Sequence, residues 1–204
     1  MNTGKFVVSS FVSLDGVVES PMVWASPFFD GECKEYASRN LTGVDYFLLG
    51  RASYELFSAR WPQIHGDYYI DRLNSMKKLV VSRSLHSVTW NASLIKGDVA
   101  AELDRIKQGG ANLLKYGITQ LDATLLAHGL VDEYHIWLMP TRVGTGKRAF
   151  QDVDASLLAL ELLNTHRFSN GVAVLNYGVR KNNETERIAH RSSATRPAKE
   201  KTPP

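Results

Sequence analysis

Residues 112–128, NLLKYGITQLDATLLAH, contain a strand, a glycine turn and a helix in immediate succession. The first five residues are mostly apolar and of strand length, and Gly117 follows them. Residues 119–128 place three leucines on one helical face. Thr119, with Asp122 three residues later, resembles a capping box at the helix start. This stretch predicts a strand that leads directly into a helix, the repeating unit of α/β sheets.

The same alternation continues in both directions along the chain. Helices are predicted at 29–40, 52–59, 98–108 and 119–128. Strands are predicted at 5–12, 44–49, 78–82, 112–116, 133–139, 159–168 and 172–180, with a further short one at 88–90. Repetition of strand, helix and strand implies parallel strands with right-handed crossovers. The turn Ser169-Asn170-Gly171 joins the last two strands as a hairpin. We therefore predict one α/β domain at 1–180, with a mixed, mostly parallel sheet flanked by helices and a C-terminal antiparallel hairpin.

Composition narrows the class of protein. The 204 residues suit one domain, with 44% hydrophobic and 22% charged residues. Residues 181–204 have almost no large apolar side chains, so we expect a disordered basic tail. The rest of the chain is nearly neutral, so we expect no nucleic-acid partner. The sequence has no long apolar run and no signal segment, so we expect a cytoplasmic protein without a membrane partner. Cys33 is the only cysteine, so we expect no metal site built from cysteines.

Three strand ends carry residues that suit phosphate groups. In α/β sheets ligands bind beyond the carboxyl ends of the strands. The first junction combines Gly50 with Arg51, whose planar guanidinium suits a phosphate. The turns at 82–84 and 117–121 offer hydroxyl groups and backbone N–H groups. An ordinary turn with a solvated arginine is the alternative at the first junction and at 82–84, and at 117–121 Asp122 already supplies a negative charge and a cap. The recurrence of the three junctions favours a dinucleotide ligand.

Other motifs are weaker. Residues 144–149, GTGKRA, match one form of the nucleotide fingerprint but do not lead into a clear helix, so we interpret them as a turn. Glu133 and His135 alternate along a predicted strand and form no metal-binding spacing. A buried small side chain is the favoured interpretation of Cys33.

Taken in order, several motifs resemble one known group. The chain resembles the dihydrofolate reductase-like superfamily, most of all the reductase domain of the bacterial bifunctional riboflavin deaminase-reductase and its stand-alone relatives. The resemblance covers about residues 4–180. The motifs that carry it are Ser13-Leu14-Asp15-Gly16, Gly50-Arg51-Ala52-Ser53-Tyr54-Glu55, Ser82-Arg83-Ser84-Leu85, Gly117-Ile118-Thr119-Gln120-Leu121 and Gly129-Leu130-Val131-Asp132-Glu133-Tyr134.

The resemblance implies NADPH as cofactor and assigns residues to each part of it. Arg51 and the turn Ser82, Arg83 and Ser84 would hold the adenosine 2′-phosphate. The strand end at Val12 and Gly16 would border the nicotinamide. Ser53 and the backbone of Gly117, Ile118 and Thr119 would hold the pyrophosphate, and Gly50 and Leu121 would also contact the cofactor.

The substrate is less constrained. Asp15 would donate a proton or hold the substrate, or is simply an Asp-Gly turn residue. Trp24 and Phe28 would form an aromatic wall for a flat heterocycle, or belong to the core. Riboflavin-pathway reductases act on a ribosyl carbon and need groups for a ribose phosphate.

We therefore predict an NADPH-dependent reductase similar to the 5-amino-6-(5-phosphoribosylamino)uracil reductase domain, acting on a small-molecule substrate. A dihydrofolate or pterin reductase and a non-catalytic NADPH-binding module are the alternatives. The sequence is compatible with either a monomer or a homodimer.

Overall fold

The structure is a computed structural model that describes residues 3–180, so the predicted tail at 181–204 lies outside the described residues. Its strands are β1 Phe6–Ser13, β2 Tyr46–Gly50, β3 Lys77–Val81, β4 Ala92–Ile95, β5 Leu113–Tyr116, β6 Glu133–Met139, β7 Leu160–Arg167 and β8 Ala173–Val179. Its helices are α1 Pro21–Trp24, α2 Gly31–Arg39, α3 Arg51–Ser58, α4 Tyr68–Ser75, α5 Val99–Gln108 and α6 Leu121–Ala127. Within this part of the chain, no helix is both long and apolar enough to cross a membrane.

The eight strands form one mixed sheet in the order β4-β3-β2-β5-β1-β6-β8-β7. The first six strands in this order run parallel, from β4 at one edge to β6. β8 pairs antiparallel with β6, and β7 pairs antiparallel with β8 at the other edge. The predicted mostly parallel sheet and its closing hairpin are therefore confirmed.

The core lies on both faces of the sheet. Successive strand residues point to opposite faces, so Phe47 and Leu49 of β2 pack with α2 and α4, while Leu48 packs with α5 and α6. All three side chains are almost completely buried. β2 therefore needs the continuous apolar run that its sequence shows, because no face of it meets water.

Three elements differ from the sequence predictions. The short helix α1 was not predicted. Helix α4 was not predicted; it begins after Asp67, whose carboxylate accepts the N–H groups of Tyr69 and Ile70 at 3.1 Å each. The predicted strand at 88–90 is wrong. Trp90 and Asn91 have φ angles of 61° and 52°, which no strand residue adopts, so the strand begins only at Ala92.

Candidate functional site

A cleft lies at the edge of the sheet where the parallel strands end. It has a volume of about 470 Å³ and lies between the start of α3 and the turn that follows β5. Residues 18–20, Val81, Lys147, Arg148 and residues 150–153 complete its lining. We call it the strand-end cleft. Because ligands of α/β sheets bind beyond the carboxyl ends of the strands, this edge is the candidate site.

Arg51 is held at this cleft by two side chains. Its Nη1 donates to Ser84 Oγ at 2.9 Å, and its Nε donates to Glu55 Oε1 at 2.9 Å. Ser82 Oγ accepts the N–H of Ser84 at 3.2 Å and so shapes the turn. Arg83 lies exposed in the same turn. The structure thus brings together Arg51 and the 82–84 turn, which the resemblance assigns to one phosphate.

The start of α3 is open toward the cleft. Gly50 precedes the helix, and a Cβ built on it would meet nothing within 4 Å. The first N–H groups of a helix have no partner within the helix, and no side chain caps them here. Ser53 lines both this cleft and a neighbouring cavity. A ligand can therefore approach backbone donors and a hydroxyl group together.

The turn after β5 differs in detail from the assignment implied by the resemblance. The N–H of Gly117 donates to Ser9 O at 2.8 Å, and the N–H of Ile118 donates to Ser10 Oγ at 3.3 Å. The N–H of Thr119 donates to the Asp122 carboxylate at 2.7 Å. The three backbone donors expected to hold pyrophosphate are therefore already used within the protein. Among the described residues, the N–H groups of Gln120 and Leu121 have no acceptor, and both residues line the cleft.

A buried ionic network supports this turn. Lys115 Nζ lies 2.6 Å from Asp122 Oδ2, and the two side chains are 2% and 0% exposed. Asp122 also accepts the Tyr134 hydroxyl at 3.0 Å, and Lys115 donates to Gly117 O. Burial lowers the pKa of Lys115, and Asp122 opposes that shift. The capping-box pattern in the sequence identified Asp122. Sequence reasoning missed Lys115, although a lysine inside an apolar strand could have indicated a buried partner.

Asp15 anchors a loop and does not line the strand-end cleft or the neighbouring cavity. Its carboxylate accepts the Ser13 hydroxyl at 2.7 Å and the N–H groups of Val143 and Gly144 at 3.0 and 2.8 Å. These hydrogen bonds, that from Ser13 above all, lower the pKa of Asp15. A carboxyl group that is held ionised by these donors is poorly suited to donate a proton.

Val12 and Gly16 also lie outside both spaces. Val12 is buried in the core with α5 and α6. Gly16 has a φ of 84°, and its carbonyl accepts the N–H of Ala149 at 2.8 Å. Their contacts fix the end of β1 against the loop that leads to residues 147–153.

Lys147 and Arg148 line the cleft, although their segment was interpreted from sequence only as a turn. The segment is irregular and does not start a helix, so it is no nucleotide fingerprint. Arg148 forms an isolated antiparallel bridge with Val17 and donates to the Asp15 carbonyl. Two adjacent cations after a Gly-x-Gly turn were the signal in the sequence.

A second space, the aromatic cavity, adjoins the cleft. It has a volume of about 440 Å³ and shares Val18, Ser53, Ile118 and Thr119 with the cleft. The predicted wall residues Trp24 and Phe28 do not line it; both are partly buried against the core. Their neighbour Phe29 lines it, with Phe11, Phe57, Trp61, Tyr69, Tyr116 and Trp137.

The two spaces together form a site with a polar, cationic part and an aromatic part. Among residues 3–180, no group of three or more His, Cys, Asp or Glu side chains is arranged to hold a metal ion. The site can therefore hold a ligand with phosphate groups at one end and a ring at the other through hydrogen bonds, charge and apolar contact.

The chain is similar in sequence to known proteins over most of its length. Residues 5–174 match the model of the RibD C-terminal domain. The uncharacterized protein YyaP of Bacillus subtilis (strain 168) is 28% identical over 181 residues, which cover 85% of this chain and 94% of YyaP.

Solved structures share the arrangement of the sheet and helices. A pyrimidine reductase-like protein from Corynebacterium diphtheriae has a TM-score of 0.62 and 13% identity, with 88% of this chain and 93% of that chain covered. The diaminohydroxyphosphoribosylaminopyrimidine deaminase/5-amino-6-(5-phosphoribosylamino)uracil reductase from Thermotoga maritima has a TM-score of 0.59 and 13% identity. The match covers 87% of this chain and 57% of that enzyme. The chain therefore has the dihydrofolate reductase-like fold and belongs to the family of the RibD C-terminal domain.

Proposed function

We propose that this protein is an NADPH-dependent reductase that transfers a hydride to a small-molecule substrate in the aromatic cavity. The observation that carries the proposal is the continuity of the two spaces around Val18, Ser53, Ile118 and Thr119. A dinucleotide whose phosphates were held in the strand-end cleft could reach the cavity with its ring through these shared residues. Membership in the RibD C-terminal domain family supports a reductase.

The donors present in the cleft fit this cofactor. Arg51 and Ser84 offer a guanidinium and a hydroxyl group to the 2′-phosphate. The open start of α3 and the N–H groups of Gln120 and Leu121 suit the pyrophosphate. In this proposal the backbone donors of the second turn are Gln120 and Leu121, which lie one to four residues after the expected donors Gly117, Ile118 and Thr119.

When bound, the nicotinamide supplies the hydride. Val18 and Ile118 present apolar surface where the two spaces meet, which excludes water from the reacting region. The buried network of Lys115 and Asp122 holds the Gly117 turn in one geometry. The chain's own residues therefore bind and orient the reactants.

Discrimination between the two nicotinamide cofactors tests the assignment of Arg51. A hydrogen bond to a charged group contributes about 1.5–3 kcal/mol, or about tenfold to a hundredfold in affinity. The Arg51 side chain is 55% exposed and shares its charge with Glu55, so we expect the lower end. Arg51→Ala should weaken NADPH binding about tenfold and leave NADH binding nearly unchanged, as measured by fluorescence titration of both cofactors. The NADPH effect should decrease with added salt.

Arg39→Ala is the matched control, because Arg39 forms the same type of exposed ion pair with Glu35 but lies outside the cleft. It should leave both affinities unchanged. Equal weakening of NADPH and NADH by Arg51→Ala would make Arg51 a structural residue. Loss of the reduced-nicotinamide absorbance with candidate substrates distinguishes a reductase from a binding module, which would bind NADPH without consuming it.

A further inference from the structure

The aromatic cavity is built from ring side chains that support one another. Phe29 lies 5.5 Å from Phe11 and 5.8 Å from both Tyr69 and Trp137, measured between ring centroids. Phe57 and Trp61 are stacked at 4.0 Å with an interplanar angle of 10°. Aromatic walls of this kind favour a flat ring as ligand.

The cavity contains no unpaired charge. Lys34 and Asp67 are the charged residues among those that line it, and their side chains form an ion pair at 2.7 Å. Asp67 also caps α4 through the N–H groups of Tyr69 and Ile70, so its carboxylate is fixed in place. The hydrogen bond from Lys34 lowers the pKa of Asp67, so the carboxylate stays ionised beside the ammonium group of Lys34.

The cations of this site other than Lys34 lie in the strand-end cleft. The strand-end cleft is lined by Arg51, Lys147 and Arg148, with Glu19 and Asp152 as its acidic residues. Binding of a phosphate group is favourable in the cleft and unfavourable in the aromatic cavity. An anion that leaves water needs a cation or several hydrogen-bond donors. The cavity is therefore electrostatically suited to an uncharged ligand.

A pair of tyrosines supplies a polar contact. The hydroxyl groups of Tyr69 and Tyr116 lie 2.7 Å apart, and both residues line the cavity. Burial raises the pKa of both, so both carry their protons at neutral pH. One hydroxyl donates to the other, which leaves one O–H for a ligand. An O–H donor in an apolar cavity pairs well with a carbonyl oxygen.

We propose that the aromatic cavity takes an uncharged planar ring that carries a carbonyl group, and that it rejects the phosphorylated form of the same ring. This inference rests on the proposed function in treating the ring as the substrate. It departs from the phosphoribosyl substrate implied by the resemblance, because Lys34, the cation that lines the cavity, is paired with Asp67.

Two matched probes test the rejection of phosphate. The neutral probe is 4-methylumbelliferone in mildly acidic buffer, and the charged probe is its phosphate ester. Calorimetry on the full chain should show that the ester binds at least about tenfold more weakly, the loss expected when a charged group lacks its hydrogen-bonding partner. Failure of the neutral probe to bind, or equal binding of the ester, would overturn the proposal.

The variant Asp67→Asn provides the sharper comparison. Asparagine also caps helices well, so α4 is retained while Lys34 is left without its acid. The discrimination between the two probes should then decrease about tenfold. Asp98→Asn is the control, because Asp98 caps α5 through two N–H groups in the same way and lies outside the cavity. Unchanged discrimination in Asp67→Asn contradicts the charge argument.

The tyrosine pair is tested with the neutral probe. Tyr69→Phe leaves Tyr116 as a donor, so the affinity should change little. Replacing both tyrosines with phenylalanine removes the donor and should weaken binding about threefold to tenfold. Equal effects of the single and double variants would exclude the shared O–H.

Cofactor titration of the unmodified protein keeps the two proposals separate. If NADPH does not bind but the neutral probe does, the reductase proposal fails and the ligand class of the cavity stands. If NADPH binds and is consumed but the phosphate ester binds as well as its neutral form, only the ligand class fails.

Discussion

The buried pair of Lys115 and Asp122 allows a stability change to be predicted from the structure. In Asp122→Asn, the amide oxygen can accept the Thr119 N–H and the amide NH2 can donate to the Tyr134 hydroxyl oxygen, but Lys115 loses its counter-charge. The Lys115 side chain is 2% exposed, so it must remain charged without a partner or lose its proton.

The cost of both routes can be estimated. Deprotonating a lysine of ordinary pKa 10.5 at pH 7 costs about 5 kcal/mol, which is an upper limit. Removing one partner of a buried ion pair typically costs about 3–5 kcal/mol. Because the asparagine retains two hydrogen bonds of Asp122, we expect a loss of about 3 kcal/mol in the free energy of unfolding.

Urea unfolding at pH 7 and at pH 9.5, followed by tryptophan fluorescence, measures this loss. In the variant, burial lowers the pKa of folded Lys115 and Asp122 no longer opposes that shift, so the unfolded state binds more protons. Stability then rises with pH. The deficit of the variant should therefore shrink as the pH approaches 10.5, the ordinary pKa of lysine. A deficit below about 1 kcal/mol, the range of surface ion pairs, or one independent of pH, would refute the reasoning.

Two further variants serve as controls. Glu102→Gln breaks the exposed pair of Glu102 and Arg105 on α5 and should cost less than about 1 kcal/mol. The double variant Lys115→Met/Asp122→Asn removes the buried charge altogether and should recover at least half of the loss. Failure of the double variant to recover stability would show that the hydrogen bonds dominate over the charge.

Two other changes probe the loops of the site. Gly117→Ala should lower the free energy of unfolding by about 1–2 kcal/mol, because Gly117 has a φ of +78°. Gly50→Ala, at ordinary φ and in open space, should leave stability in urea unchanged; equal losses in both variants would remove the conformational explanation. Asp15→Asn should destabilise the fold above pH 4 by weakening the bonds from Val143 and Gly144. The pKa of folded Asp15 lies below its ordinary 3.8. The difference in free energy of unfolding between the variant and the unmodified protein, measured with urea, should therefore fall as the pH drops below that value. A difference that does not change with pH would contradict the role of the Asp15 charge.

The periodicity of the sequence was sufficient to predict most elements. β2 reads as a short apolar run because both of its faces are buried. β7 and β8 are separated by a Ser-Asn-Gly turn, and the parallel sheet follows from alternating elements. These features depend on residues within one segment, where side-chain direction repeats with the element. Helix α4 was not predicted, because the signal for its start in the sequence is a single capping residue, Asp67.

The chemistry of the site was only partly predictable. The sequence placed Arg51 and the 82–84 turn at strand ends, since β2 and β3 each end in a polar turn. Their contact across 33 residues depends on β2 and β3 being neighbours in the sheet. Phe29 lines the cavity and Phe28 does not. Which of these two adjacent side chains faces the cavity is decided by the tertiary structure.

The buried partnership of Lys115, Asp122 and Tyr134 likewise arises only in the tertiary structure. Each residue type has an ordinary local interpretation: a strand lysine, a helix cap and a strand tyrosine. Their hydrogen bonds form because β5, α6 and β6 pack around one buried position. The sequence by itself therefore determined most of the elements and the strand ends at which we propose that a ligand binds. Which donors are free and which charges are neutralised was decided by packing, because those properties depend on atoms brought together from distant parts of the chain.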